Sequence, residues 1–290
     1  MSFLTDPWAW WVEPFLDNPF MRNALWAGLL AAIATSVVGS WVVLRGLAFL
    51  GDALAHGVLP GIALAFVIGL DTTIGAFVAA LLMVGGINLI RNHSPLPDDT
   101  SIGILFVGFL ALAVVIMSSQ LGSYTGDLNR FLFGSVTSVT PAGLRRQAIA
   151  AAVVLGGVIV FYRAFLVMTF DEVQARMLGF RPRLANFGLL VLLTVSIIAS
   201  FETVGSLLVF AFLIAPPAAA SLIVRRVPWL MVTAAGFGVI SALIGVLVSF
   251  HHRAAAGASM ALTSVILFVV VLAGTNIARA LQHRRAAALT

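Results

Sequence analysis

Long apolar segments recur along the whole chain, and they constrain its fold more than any other feature of the sequence. An α-helix needs about 20 mostly apolar residues to cross a bilayer, and nine segments approach that length. They cover approximately residues 21–44, 51–70, 73–90, 100–118, 148–165, 184–200, 204–224, 229–249 and 259–278. Charged residues make up only 9% of the 290 residues, compared with about 25% in soluble domains. The sequence therefore predicts an all-α polytopic membrane protein with about nine transmembrane helices, or eight, in one integral domain over residues 1–290.

Two further apolar stretches are too short or too interrupted to cross. The stretch "WAWWVEPF" lies within residues 1–20, and tryptophan favours the membrane surface. We expect residues 1–20 to form an interfacial segment and not a cleaved leader, because apolar segments continue along the chain. The stretch "LNRFLFGSVTSVT", residues 128–140, is expected to be a re-entrant or interfacial helix.

All 16 basic residues are arginines, and their positions predict the orientation. Loops on the cytoplasmic side of a membrane are enriched in basic residues. With nine spans and the amino terminus outside, eleven arginines fall on the cytoplasmic side and five on the other. We therefore expect the amino terminus outside and the carboxyl terminus in the cytoplasm. The arginines lie at span ends and not on one polar face, which argues against a nucleic-acid partner.

The absence of lysine and cysteine excludes several kinds of chemistry. A P-loop needs a lysine on the phosphates, and a pyridoxal Schiff base needs an amine. Without cysteine there are no disulfides, thiolate metal sites or cysteine nucleophiles. The chain also contains neither an HExxH pair nor a GxSxG elbow. We expect no enzyme activity and no permanently bound cofactor.

Asp52 and His56 are the ionisable residues most in need of explanation, because they lie inside an apolar segment. At a spacing of four residues they project from one helix face and can share one ligand. An aspartate deep in the bilayer costs about 2.5–3.5 kcal/mol and usually faces a cavity, a partner or an ion. Nearby, Pro60 and Gly61 permit a helix break or a close helix contact.

Spacing alone leaves three roles open for this pair. Asp52 could hydrogen-bond His56 and join two helices, or the two could relay protons. They could also ligate a metal: carboxylate plus imidazole without sulfur suits manganese, zinc or ferrous iron. Two ligands per chain would then need a second copy, another helix or water.

Four stretches together resemble one known family, the zinc and manganese permeases of ATP-binding-cassette importers. "GLAFLGDALAHGVLPGIALAF" is similar to its signature helix, and "LPDDTSIGILF" resembles the acidic entry to its fourth span. "FDEVQARMLGF" resembles its cytoplasmic coupling segment, and "VGSLLVFAFLIAPPAAASL" its late span with Pro216 and Pro217. The matches occur in the family's order between about residues 20 and 271.

The resemblance implies a type II importer permease in the bacterial cytoplasmic membrane. Such a permease forms a homodimer, binds a cytoplasmic ATPase dimer, and receives metal from an extracellular or periplasmic metal-binding protein. Asp52 and His56 fall on the positions that line the family's metal path. From their residue types we expect Pro60, Gly61, Pro216 and Pro217 to be helix breaks or gates.

Residues 170–180 are expected to form the coupling helix. Asp171 and Glu172 suit the positive first turn of a short helix, Arg176 lies toward its end, and Gly179 is placed for a left-handed stop. Together with Ala175, these residues match the segment that the family uses to contact its ATPase.

Three other residues are weaker candidates for metal ligation. Glu202 falls at an outer turn, and His251 and His252 lie at the outer end of a span, where Arg253 would repel a cation.

The main alternative function is a proton- or ion-coupled secondary transporter that uses Asp52 and His56 as a relay. Inverted repeats would favour it, and none is evident.

Overall fold

The computed structural model describes residues 7–118 and 139–287, and every regular element within these ranges is an α-helix. The all-α prediction is therefore confirmed. In chain order the helices are α1 (Pro7–Trp11), α2 (Glu13–Asp17), α3 (Pro19–Leu44), α4 (Ala48–Gly57), α5 (Leu59–Ile68), α6 (Thr72–His93), α7 (Asp98–Ser118), α8 (Pro141–Val160), α9 (Tyr162–Phe170), α10 (Glu172–Met177), α11 (Pro182–Val204), α12 (Ser206–Ile223), α13 (Val227–His252) and α14 (Ala256–Ala287).

Eight segments in the described ranges are long and apolar enough to cross a membrane. They are Pro19–Leu44, Ala48–Ile68, Thr72–Arg91, Asp99–Ser118, Pro141–Val160, Pro182–Phe201, Val227–His252 and Ala256–Gln282. The remaining predicted span corresponds to α12, whose apolar part, Leu207–Ile223, is shorter. The 18 residues of α12 rise about 27 Å, close to the hydrocarbon thickness of about 30 Å. The fold is thus compatible with nine crossings.

The fifth span begins earlier than predicted. Helix α8 starts at Pro141 because the Thr140 hydroxyl accepts a hydrogen bond of 3.1 Å from the Gly143 backbone N–H. Gln147, which the prediction placed outside the span, is buried and donates to the carbonyl of Ala27, and its own carbonyl accepts from the Thr203 hydroxyl. These partners permit a polar side chain inside the bundle. The predicted helix within 128–140 lies almost wholly outside the described residues.

Helix α3 forms the centre of the bundle. It packs against α4, α8, α9, α11, α12 and α13. Its buried positions are mainly small, including Ala27, Ala31 and Ser36. Small residues allow helix backbones to approach closely, which is how membrane helices associate without a large hydrophobic driving force.

Candidate metal site

Helix α4 is buried on every side except one narrow stripe. Leu50, Gly51 and the residues from Ala53 to Ala55 are buried, as is Gly57. Phe49, Asp52 and His56 form the open stripe, at the i, i+3 and i+7 spacing of one helix face. The Asp52 and His56 side chains are 34% and 28% exposed. The predicted shared face is thus present, and it opens away from the chain's own core.

The two side chains point toward each other. His56 Nε2 lies 3.5 Å from Asp52 Oδ1. Two donors that each lie about 2.1 Å from one ion are separated by roughly 3.0–3.5 Å, so this spacing suits joint ligation. The Phe106 ring on α7 contacts the His56 ring edge to face, with centroids 5.9 Å apart. It also contacts Phe49, at 5.6 Å, so aromatic rings limit how far the imidazole can turn.

The described residues of one chain supply an incomplete ligand set. Within residues 7–118 and 139–287, no cluster of three or more His, Cys, Asp or Glu side chains could hold a metal ion. A transition metal needs at least four donors. Because Asp52 and His56 lie on an open stripe, further donors can approach from outside the chain or from water.

The helix that carries this pair is divided at Val58. Pro60 has no backbone N–H to donate to the carbonyl of His56, and that carbonyl accepts instead from the N–H of Val58. Beyond the division, Gly61 of α5 and Gly75 of α6 are in reciprocal backbone contact, since a Cβ on either would overlap the other's carbonyl oxygen. Gly61 therefore permits α5 and α6 to lie at close range.

Pro216 and Pro217 do not break their helix, so the break predicted for them is wrong, while a gating role stays a prediction. Helix α12 runs through both residues. The reason lies in α3: the Ser36 hydroxyl donates a hydrogen bond of 3.1 Å to the carbonyl of Phe212, which Pro216 leaves without a donor. Pro217 likewise leaves the carbonyl of Leu213 without a helical donor. This carbonyl lies so close to Gly39 that a Cβ on Gly39 would overlap it.

The predicted cytoplasmic segment has the local geometry expected from its sequence. Helix α10 begins after Asp171, whose carboxylate accepts a hydrogen bond of 2.8 Å from the Gln174 N–H. Arg176 forms an ion pair of 2.9 Å with Glu172, and Gly179 adopts a left-handed φ of 81°. These contacts are local, which is why the sequence could predict them.

One part of the exposed surface of α10 is apolar. Ala175 is completely buried and anchors the helix. Val173, Met177 and Leu178 are 62%, 82% and 60% exposed, and Phe170 beside them is also exposed. These residues lie outside the eight segments that are long and apolar enough to cross a membrane.

The weaker candidates lie elsewhere. His251, at the end of α13, stacks on Trp10 of α1 with ring centroids 4.6 Å apart, and its Nε2 is 3.2 Å from the Trp10 carbonyl. Its contacts are therefore with the amino-terminal segment. His252 is exposed at the same helix end. Glu202 lies in the last turn of α11, and its side chain is outside the described part of the structure.

The aromatic neighbours Phe49 and Phe106 were not identified from the sequence. Phe49 could have been found, because it precedes Asp52 by three residues on the same helix face. Phe106 comes from a different helix, and no local signal indicates its contact with His56.

Known proteins resemble this chain in sequence and in fold. The sequence model of the ABC 3 transport family matches residues 17–275. The chain is similar to the manganese transport system membrane protein MntC of Listeria monocytogenes, with 35% identity over 259 residues, covering 89% of this chain and 92% of that protein. It is also similar to the chelated iron transport system membrane protein YfeD of Yersinia pestis, with 33% identity over 278 residues, covering 96% and 92%.

Among solved structures, the fold is similar to PsaBC from Streptococcus pneumoniae in complex with Fab. The TM-score is 0.80 at 31% sequence identity, and the match covers 90% of this chain and 94% of that one. The similarity therefore extends over almost the whole bundle.

Proposed function

The chain belongs to the ABC 3 transport family, and from this premise we propose that it is the membrane permease subunit of a divalent-metal importer whose cargo passes Asp52 and His56. The observation that carries the proposal is the open stripe on α4. It presents a carboxylate and an imidazole at ligand spacing inside a membrane-spanning segment. Ionisable groups at such depth are costly unless an ion or partner uses them.

Manganese is the cargo that fits best, and ferrous iron is second. Oxygen and imidazole donors without sulfur suit both ions. One relative is named for manganese transport and another for chelated iron transport. Zinc uses the same donors and serves as the comparison ion in the test.

The ion is expected to pass between two copies of the chain. Two protomers would bring two carboxylates and two imidazoles, which is a four-donor set. The two carboxylates would balance the charge of a divalent cation. This arrangement accounts for the partial exposure of Asp52 and His56 in the single chain.

ATP hydrolysis is expected from a separate cytoplasmic ATPase that docks on α10. The chain has no lysine for a P-loop of its own. The exposed Val173, Met177 and Leu178 offer the kind of apolar helix face that enters a groove of a partner. With this family assignment, no observation on the described residues favours a self-contained secondary transporter.

The proposed location is the bacterial cytoplasmic membrane, with the amino terminus outside and the carboxyl terminus inside. The eleven-to-five arginine distribution supports this orientation. The contact between Trp10 and His251 supports nine crossings, because eight spans then separate the two residues and leave both on the same side. A metal-binding protein would deliver the cargo on that side.

The test is metal uptake into liposomes that contain the permease with its ATPase and metal-binding protein. We expect Asp52→Asn and His56→Ala to lower ATP-dependent manganese uptake by about 100-fold or more, because groups that merely support a metal ligand already contribute about 10–100-fold. Manganese, ferrous iron and zinc are compared in parallel.

Asp71→Asn and His93→Ala are the matched controls, since both residues are exposed and lie outside the predicted spans. Their uptake should stay at the native level. Native uptake in both site variants would contradict the proposed path, and uptake driven by a pH gradient without ATPase would favour the secondary transporter.

A further inference from the structure

A cavity of about 210 Å³ opens where several helices meet at the predicted cytoplasmic side. It lies at the end of α3, the end of α6 and the start of α11, with α10 at its margin. Four arginines from four separate chain segments line it: Arg45, Arg91, Arg176 and Arg183. The fold therefore gathers positive charge that the sequence distributes over more than 130 residues.

Amide side chains form the inner part of the cavity. Arg45 donates a hydrogen bond of 2.5 Å from Nη1 to the Asn186 carbonyl oxygen, and Asn186 donates one of 3.3 Å to Asn88. Asn186 is only 6% exposed. These two hydrogen bonds fix the positions of the three side chains across α3, α11 and α6. One side of the cavity is therefore polar and ordered.

Glu172 is the one carboxylate among the lining residues, and it is paired with Arg176. The lining carries three net positive charges. Such a cavity repels a divalent cation, so it does not continue the metal path from Asp52 and His56. It suits an anion, and guanidinium groups match the several oxygens of a phosphate through paired hydrogen bonds.

The depth of the cavity indicates the source of the anion. Helix α3 ends at Leu44, the span in α6 ends at Arg91, and α11 begins at Pro182. The ends of membrane-spanning helices lie at the level of the lipid headgroups. The volume is below the roughly 300–1,000 Å³ of pockets that hold drug-sized ligands, which suits a headgroup.

We propose that this cavity binds the phosphate group of an anionic phospholipid at the cytoplasmic surface. Basic pockets between membrane helices on that side are suited to such headgroups. A headgroup phosphate presents its negative charge on two free oxygens at this depth, where paired guanidinium hydrogen bonds can reach both. Free inorganic phosphate has the same chemistry and is distinguished by the experiment.

The test measures lipid binding to the full-length chain in detergent by native mass spectrometry. Phosphatidylglycerol and phosphatidylcholine with identical acyl chains are titrated separately, and inorganic phosphate is added as a competitor. We expect preferential retention of phosphatidylglycerol, weakened about 30-fold by the double variant Arg91→Gln/Arg183→Gln, since each surface arginine contributes about 1 kcal/mol.

The double variant Arg225→Gln/Arg226→Gln is the matched control. It removes two exposed arginines assigned to the same side but outside the cavity, and its affinity should equal the native one. If the first double variant fails to fold, Arg183→Gln alone suffices, because Arg183 is exposed. The affinity of Arg183→Gln for phosphatidylglycerol should fall about fivefold.

The proposal is overturned if both double variants weaken phosphatidylglycerol binding equally, or if neither variant weakens it. Displacement by inorganic phosphate without preference between the two lipids overturns the lipid source and identifies free phosphate as the ligand. Unchanged lipid and phosphate binding together with weakened ATPase binding assigns the cavity to an acidic side chain of the ATPase and also overturns the proposal.

Discussion

Helix α12 and the pair α4–α5 both carry proline in the membrane-spanning region, yet only the pair is divided. Pro216 and Pro217 lie inside an unbroken α12, whereas α4 ends at Gly57 and α5 begins one residue before Pro60. Each proline removes the donor for the carbonyl four residues earlier. The helix with two prolines is the continuous one, so the number of prolines does not decide the outcome.

The neighbouring donor decides it. In α12 the two carbonyls that lose their helical donors are accommodated by α3, through the Ser36 hydroxyl at Phe212 and the close approach of Gly39 to Leu213. In α4 the carbonyl of His56 accepts from the chain's own Val58 N–H, and the regular helix is interrupted at Val58, whose φ of −78° and ψ of −20° stay in the right-handed helical region.

The two regions also differ in what they leave open. Leu208, Phe212 and Leu213 of α12 are buried, so this helix has little room to move without disturbing α3. Helix α4 leaves Asp52 and His56 partly exposed immediately before its interruption at Val58. The potential ligands thus lie next to the point where the regular helix of this span is interrupted.

The largest effect on stability is expected from Gly39→Ala, which changes the close contact between α3 and α12. The new Cβ would overlap the Leu213 carbonyl oxygen, so α3 and α12 must separate. Overpacking of this kind costs about 1–3 kcal/mol. Thermal unfolding in detergent should show a clear loss. Gly236→Ala, in α13, is the control, because a Cβ on Gly236 meets no neighbouring atom within 4 Å. This variant should be as stable as the native chain or more stable. Equal behaviour of the two variants would show that the close contact is unimportant.

Ser36→Ala tests the hydrogen bond of the same contact. It removes the donor to the Phe212 carbonyl and leaves a buried acceptor unsatisfied, at a cost of about 1–2 kcal/mol in the free energy of unfolding. Ser221→Ala is its control, because Ser221 is exposed and bonds only within its own turn. A Ser36 variant as stable as the native chain would remove the explanation for the continuity of α12.

Pro60→Ala tests the interruption at Val58. Alanine restores an N–H that can donate to the His56 carbonyl and favours a continuous helix by about 1 kcal/mol, which shifts the conformational balance about fivefold. We expect manganese uptake to fall by up to that factor with no loss of thermal stability. Pro217→Ala, in the helix that is already continuous, should leave uptake at the native level. A comparable fall in uptake in both proline variants would contradict a special role of the interruption.

The smallest effect is expected in the turn that joins α5 to α6. Asp71 caps α6, and the Thr73 N–H that donates to its carboxylate lowers the pKa of Asp71 below 3.8. Its contribution is therefore complete above pH 3.8 and is lost as the pH falls through the lowered pKa. Asp71→Ala should cost about 0.5–1 kcal/mol at neutral pH. The difference from the native chain should shrink in acid; a constant difference down to pH 2 would rule out the carboxylate as its cause.

The sequence was sufficient wherever the determining contacts are local. The shared face of Asp52 and His56 follows from their spacing, and the capping of α10 follows from Asp171 and Gly179. The continuity of α12 could not be predicted, because the donor at Ser36 is 176 residues away from Phe212. The packing of His251 on Trp10 likewise joins distant parts of the chain. Such contacts depend on which helices become neighbours, and apolar periodicity does not specify that.

The central claim is that Asp52 and His56 of two protomers hold one ion between them. Electron paramagnetic and electron–nuclear double resonance on the manganese-loaded importer measure the metal-to-chain ratio and count the coordinating imidazole nitrogens. The account predicts one Mn²⁺ per two chains with two imidazole nitrogens, lost in His56→Ala and kept in His93→Ala. One Mn²⁺ per chain with a single nitrogen, or a signal that survives His56→Ala, would contradict it.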